Sequence, residues 1–285
     1  MGKNARTFGQ DLMRGEGRQK NGLTWTGAAV ATENTLASTE ASGTSIFDPV
    51  LCELVYRWFC PAGGAVLDPF AGGSVRGIVA SKLGLSYTGI DLSERQIEAN
   101  RKQAADICSS NPPTWILGDS RSVCDLAPGS YDLIFSCPPY GNLEVYSDDE
   151  RDLSTLDYPD FLKAYRAIIG NGAAMLKPGR FACFVVGDFR DRQGFYRNFV
   201  SETIAAFESA GLRLYNEAVL VTAVGSLPIR IGKQFGRYRK LGKTHQNVLV
   251  FYNGQPKQIP DTFGECDFGQ VEQAEEQDSG GSEQE

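Results

Sequence analysis

Ala65-Val66-Leu67-Asp68-Pro69-Phe70-Ala71-Gly72-Gly73-Ser74 decides the fold. Three apolar residues closed by an acid read as a short buried strand. The proline and paired glycines read as a turn, and Ile78, Val79 and Leu83 mark one face of a following helix. The same unit returns downstream. Residues 87–91 form a second strand ending in Asp91, after which Ser93 caps a helix containing Ile97. Residues 114–117 lead into Gly118-Asp119-Ser120, and residues 131–135 into Ser136-Cys137-Pro138-Pro139-Tyr140. A helix over 158–169, a turn at Leu176-Lys177-Pro178-Gly179, an apolar strand over 181–186, a helix over 199–210 and strands over 217–221 and 247–251 complete the alternation. Strands alternating with helices predict an α/β fold in three layers, Rossmann-like, with a mostly parallel central sheet covered on both faces.

Working outward, Asp48 and Pro49 suit the cap and first turn of a helix on which Leu51, Leu54, Val55 and Trp58 recur at helical spacing. Three regions are expected: a flexible arm over 1–45, one domain over 46–255, and a disordered acidic tail over 256–285. The arm carries Lys3, Arg6, Arg14, Arg18 and Lys20, suited to touching phosphates. The tail holds nine acids against one base, Lys257; it contributes −8 to a chain total of −7, so the other 255 residues sum to +1. An acidic total therefore does not exclude a nucleic-acid partner. The seven cysteines form no CxxC pair and there is one histidine, His245, so no metal site is expected and reduced thiols are. No apolar run suits a membrane span or a leader, which predicts a soluble, cytoplasmic protein.

Ligands of such sheets lie beyond the carboxyl ends of the strands. Gly72 and Gly73 allow close approach of backbone to ligand. Asp91, 19 residues beyond Gly72, suits a ribose diol; Asp119 suits an adenine amino group, and Asp68 a cationic amine. Taken alone, each acid is more often a helix cap or a solvated strand end than a ligand contact. With neither a GxGxxG fingerprint nor a P-loop lysine, the set points to an adenosine-bearing cofactor with little or no phosphate.

Asp68-Pro69-Phe70-Ala71-Gly72-Gly73-Ser74 resembles the S-adenosylmethionine-binding motif of the DNA amino-methyltransferases, the adenine-N6 and cytosine-N4 type, with Ser74 in place of a final glycine. Phe47-Asp48-Pro49 resembles the segment that closes over the methionine end in that family, and phage-borne DNA methylases look similar over most of residues 47–251. The resemblance implies a methyltransferase fold, S-adenosylmethionine as cofactor, double-stranded DNA as partner, and DNA modification of the restriction-modification kind. It implies that Phe47, Asp48, Asp68, Pro69, Phe70, Gly72, Gly73, Ser74, Asp91 and Asp119 bind the cofactor.

The family's catalytic corner carries an acidic, amide or hydroxyl residue, then Pro-Pro and an aromatic, here Cys137, Pro138, Pro139 and Tyr140. Consecutive prolines stiffen the turn and leave carbonyls that accept from an exocyclic amine, while Tyr140 suits stacking on a flipped base, worth about 1–3 kcal/mol. A thiol is a poor acceptor. Three readings stay open: backbone acceptors helped by Ser136, a Cys137 thiolate acceptor, or Cys137 as nucleophile of a pyrimidine-carbon methyltransferase. A catalytically inactive DNA-binding protein is a further alternative.

Residues 225–246 read as an adaptable basic loop for DNA contact, with Arg230, Lys233, Arg237, Arg239, Lys240 and Lys243 interleaved with Phe235 and Tyr238. The acidic stretch 142–150 suits a pocket wall, a moving lid or a solvated loop. His245 reads as a framework residue, and Asp188 as pocket support or turn. Little chain remains for target recognition, which leaves a short target, a homodimer or a specificity partner as expectations.

Overall fold

The computed structural model describes residues 46–141, 149–222 and 227–264, without the side chains of 228–230. The basic arm, most of the acidic stretch after the corner, Arg230's side chain and the acidic tail beyond 264 lie outside the described residues. The elements are α1 (Pro49–Phe59), β1 (Ala65–Asp68), α2 (Val75–Lys82), β2 (Ser86–Asp91), α3 (Glu94–Ile107), β3 (Thr114–Leu117), α4 (Val123–Leu126) and β4 (Tyr131–Ser136). Then follow α5 (Tyr158–Met175), β5 (Leu176–Val186), α6 (Phe199–Ser209), β6 (Arg213–Val221), α7 (Leu227–Tyr238), β7 (His245–Asn253) and α8 (Ile259–Phe263).

One seven-stranded sheet runs β3-β2-β1-β4-β5-β7-β6. Strands β1 to β5 are parallel, and β7 is antiparallel to both β5 and β6. Period-2 alternation divides the core. Val66, Leu133, Phe135, Cys183 and Val185 face α1 to α3, whereas Leu67, Ile134, Ala182, Phe184 and Val186 face α4 to α6. This is the three-layer Rossmann-like fold expected from the sequence, with the mostly parallel sheet that the methyltransferase resemblance implies. From β1 the chain winds outward through β2 to β3, then returns to β4 on β1's other side. The switch point therefore falls between β1 and β4.

Several elements differ from expectation. Residues 225–246 are not all loop, because α7 occupies 227–238. Leu227, Ile231, Phe235 and Tyr238 repeat at helical spacing, outweighing the roughly 1 kcal/mol cost of each interior glycine. Arg239, at φ 57°, ends the helix, and its guanidinium donates to the carbonyls of Phe235 and Gly236. The acidic tail begins later than residue 256: α8 lays Ile259 and Phe263 on the core, with the Phe263 ring 5.2 Å from Phe181. Helix α5 extends to Met175 because Gly172, Ala173 and Met175 continue its buried face. The turn signal at 176–179 is real but lies inside β5, where the register jumps and Gly179 takes φ 69°. Helix α1 is rotated from the stripe its leucines suggest: Cys52, Val55 and Tyr56 are buried, while Leu54 and Trp58 are exposed. Among the described residues, no helix is long and apolar enough to cross a membrane.

Candidate functional site

The glycine turn after β1 and the proline corner after β4 leave adjacent strands at the same sheet edge, on either side of the switch point. Strand β7 runs the other way, so its first residues, His245 and Gln246, reach that edge too, beside Val186 at the end of β5. The β6–β7 connection carrying α7 therefore emerges there.

Each part of the glycine turn is held by a specific partner. Gly72 N–H donates to Asp91 Oδ2 at 2.8 Å, and its carbonyl accepts from Asn100 Nδ2 at 2.8 Å. Ala71 N–H donates to the Ile90 carbonyl. Ser120 Oγ donates to the Pro69 carbonyl, and Ser74 Oγ to Gln103 Oε1, both at 2.5 Å. Phe70 lies at the other core, its ring 6.0 Å from Tyr165. Gly72, at φ 50°, and Gly73 both have open space where a side chain would begin, with no atom within 4 Å. That is a cradle a Cβ would fill, as a close backbone approach to a ligand requires.

Asp68 occupies a different place from the one its sequence position suggests. It is 0% exposed. Its oxygens accept from Arg76 Nε at 2.6 Å, Tyr87 OH at 2.7 Å, Ser136 Oγ at 2.5 Å and Phe70 N–H at 3.1 Å. Four donors enclose the carboxylate, so it does not present a face to a cationic amine. Arg76 also donates to the Phe70 and Ala71 carbonyls, and its own carbonyl accepts from Tyr56 OH. Burial alone would pull the guanidinium down; the Asp68 carboxylate overrides it and holds Arg76 firmly charged. The network binds the glycine turn to the corner through one hydrogen bond, Ser136 to Asp68. Arg76, Tyr87 and Asn100 escaped sequence reading, although an arginine in the first turn of a helix behind a buried acid is a readable signal.

The remaining acids keep capacity to bind. Asp91 accepts from Gly72 N–H and, through Oδ1, from Ser93 N–H, yet each carboxylate oxygen has a second lone pair. Burial raises its pKa against those two backbone bonds. Asp119 accepts from Arg121 N–H and its guanidinium at 2.8–2.9 Å; burial raises it, but the Arg121 contacts prevail and hold it low. Asp48 caps α1, accepting from Val50 and Leu51 N–H. Phe47 lies edge-on to Phe135, with the Arg76 guanidinium 4.6 Å over its ring.

At the corner, Ser136 and Pro138 are buried, while Cys137, Pro139 and Tyr140 are half-buried. Ser136 is fully buried with its hydroxyl donating inward to Asp68, so burial keeps it from a substrate amine. Burial pushes the Cys137 thiol up, outweighing the Arg76 charge and a hydrogen bond from Tyr140 that favour the thiolate. That shift runs against both readings that need a thiolate at neutral pH. Tyr140 stands edge-on between Phe189 and Phe199, at 6.1 and 6.0 Å, and its hydroxyl accepts from Gln246 Nε2. Gln246 is buried, and a Cβ on Gly187 would lie 3.7 Å from it and 3.9 Å from the Tyr140 hydroxyl. Sequence reading passed over Gln246 in favour of exposed His245. The antiparallel strand that delivers it carries no pattern distinguishing which end reaches the site. Asp188 accepts from Val200 N–H and serves α6.

Of the basic residues on the β6–β7 connection, Lys233, Arg237 and Arg239 are exposed and Lys240 and Lys243 half-buried. Arg237 lies over Tyr238 at 5.1 Å, and Lys240 over the same ring at 5.5 Å.

No protein family model matches the chain, and no curated protein matches it significantly. Solved structures of similar shape include TrmN from Thermus thermophilus, at 18% identity and TM-score 0.48, covering 72% of this chain and 48% of that one. Another is the magnesium protoporphyrin IX methyltransferase of Synechocystis PCC 6803 with bound SAM, at 12% identity and TM-score 0.46, covering 71% and 78%. A third is an rRNA methylase from Streptococcus thermophilus, at 11% identity and TM-score 0.47, covering 74% and 100%. The chain spans about half the length of TrmN. Likenesses at these values assign neither substrate nor residue roles.

Proposed function

We propose that this chain is an S-adenosylmethionine-dependent methyltransferase acting on the exocyclic amine of adenine or cytosine in double-stranded DNA. The observation that carries the reading is the pairing, across one switch point, of an open glycine cradle with a Pro-Pro-Tyr corner, tied by the Ser136–Asp68 hydrogen bond. The residues present fit the cofactor. Gly72 and Gly73 leave room for it, Asp91 and Asp119 keep lone pairs for ribose and adenine, and Phe47 lies at the adjoining end of α1. Bound there, S-adenosylmethionine would supply an electrophilic methyl group.

The chain's own work is positioning. An exocyclic amine is a poor nucleophile because its lone pair is delocalised into the ring. Carbonyls of Cys137 and Pro138, fixed by the prolines, accept its hydrogens and turn the lone pair out of the ring plane. Tyr140, held by Gln246, Phe189 and Phe199, sets the plane of the base. Neutral Cys137 fills the corner without nucleophilic work. Lys233, Arg237, Arg239, Lys240 and Lys243 would meet the phosphates. A homodimer or a specificity partner would extend the small recognition surface.

The test supplies purified protein with methyl-labelled S-adenosylmethionine and, in parallel, DNA, RNA and a small-molecule pool. Label should enter DNA; label entering only another pool would sink the reading.

A further inference from the structure

We propose that Phe195, at the tip of the hairpin spanning residues 189–197, is a wedge that enters the base stack of duplex DNA when the target base leaves it. The inference rests on the base-methylation reading above and adds the group that opens the duplex.

The hairpin grows directly out of the corner. Its root, Phe189, is buried against Tyr140, Tyr158 and Phe199. Arg197 N–H donates to the Phe189 carbonyl, Asp191 N–H to the Phe195 carbonyl, and Arg190 pairs with Tyr196 across the two limbs. The tip is held by a single carboxylate: Asp191 Oδ1 accepts from the N–H groups of Gln193, Gly194 and Phe195 at 2.8–3.0 Å. Arg190 braces it from the side, donating to the Gly194 carbonyl and lying 3.9 Å over the Tyr196 ring. A turn built to this degree carries an aromatic ring that none of the described residues covers. Phe195 is 70% exposed and, among the described residues, has no ring partner.

Its surroundings name the occupant. Arg192 is exposed beside it, and Lys240 lies so close to Gly194 that a Cβ there would fall 2.7 Å from the ammonium nitrogen. The tip's one carboxylate is occupied by three backbone donors. An apolar ring flanked by cations, on a stiff projection near the base pocket, matches a duplex: phosphates meet the cations, and the ring fills the gap between base pairs. Flipping costs a few kcal/mol of unstacking, which an inserted ring offsets. A single strand has no such gap to hold open.

The experiment compares methyl transfer to native and to heat-denatured samples of the same unmethylated DNA, for the unsubstituted protein, Phe195→Ala and Phe195→Trp. Phe195→Ala should lose roughly tenfold or more on native DNA and less than about twofold on denatured DNA, with its melting temperature unchanged; Phe195→Trp should restore the native-DNA rate. Equal loss on both substrates, or no loss on either, overturns the wedge while leaving base methylation standing. No methyl transfer to either DNA by the unsubstituted protein overturns the reading on which the wedge rests, and the wedge with it.

Discussion

Cys137 shows what a single side chain can and cannot do in this setting. Its burial raises the thiol pKa above the ordinary value, against the thiolate. A group with a raised pKa gains less charge between pH 7 and 9 than an ordinary thiol does. The rate should therefore show no marked rise from thiol ionisation in that window, and the pH profile of Cys137→Ser should overlay that of the unsubstituted protein within about twofold. A thiol-dependent rise that vanishes in the serine variant would restore the nucleophile. Gln246 makes the complementary case. Replacing it with leucine removes the bond to Tyr140; with Tyr140 in the base-setting role proposed above, kcat/KM should fall by about tenfold with cofactor affinity unchanged.

At the scale of elements, the β1 turn and the helix behind it act as one body. Asp68 and Arg76 are a buried pair, and Asp68→Asn leaves a buried guanidinium uncompensated, a loss of about 3–5 kcal/mol measurable by urea unfolding. Gly73→Leu separates stability from binding. Its side chain would start in open space, so unfolding should be unchanged while calorimetry shows S-adenosylmethionine affinity abolished. Away from the site, Asp132 joins the start of β4 to Ala65 N–H, Lys177 and Arg180. Burial raises its pKa, but those three partners prevail and depress it. A carboxylate with a depressed folded pKa contributes stability above its unfolded value, near 4, and loses it as pH falls through the folded value. Asp132→Asn should thus cost about 1–3 kcal/mol at pH 7, and progressively less in acid below about pH 4.

The alternation of apolar strands and capped helices made the sheet and its working edge readable, because residues 65–68, 87–91 and 131–135 are short, apolar and bounded by turn chemistry. Strand β6 was only half visible. As an edge strand with one neighbour and a bulge at Tyr215, it is exposed along most of its length and lacks the alternation that marks a half-buried strand. The site was legible as residue types on strand ends, but not as connections. Nothing in the spacing of Asp68, Arg76, Tyr87 and Ser136 shows that they meet, since long-range hydrogen bonding is set by strand order.

Over the whole molecule, one edge of the sheet gathers the cradle, the corner, the Phe195 hairpin and the basic connection, while the acidic residues beyond 264 account for the negative total. Duplex affinity should follow that division. Replacing Lys233 and Arg237 with glutamine should lower the slope of log K against log salt by about 0.9 for each phosphate no longer neutralised, across all sequences alike. The most direct test of the central claim is the identity of the methylated atom. DNA incubated with the protein and S-adenosylmethionine, digested to nucleosides and resolved by mass and chromatography, should contain methyl on the exocyclic nitrogen of adenine or cytosine. Methyl on a pyrimidine carbon, or on no nucleoside, would contradict it.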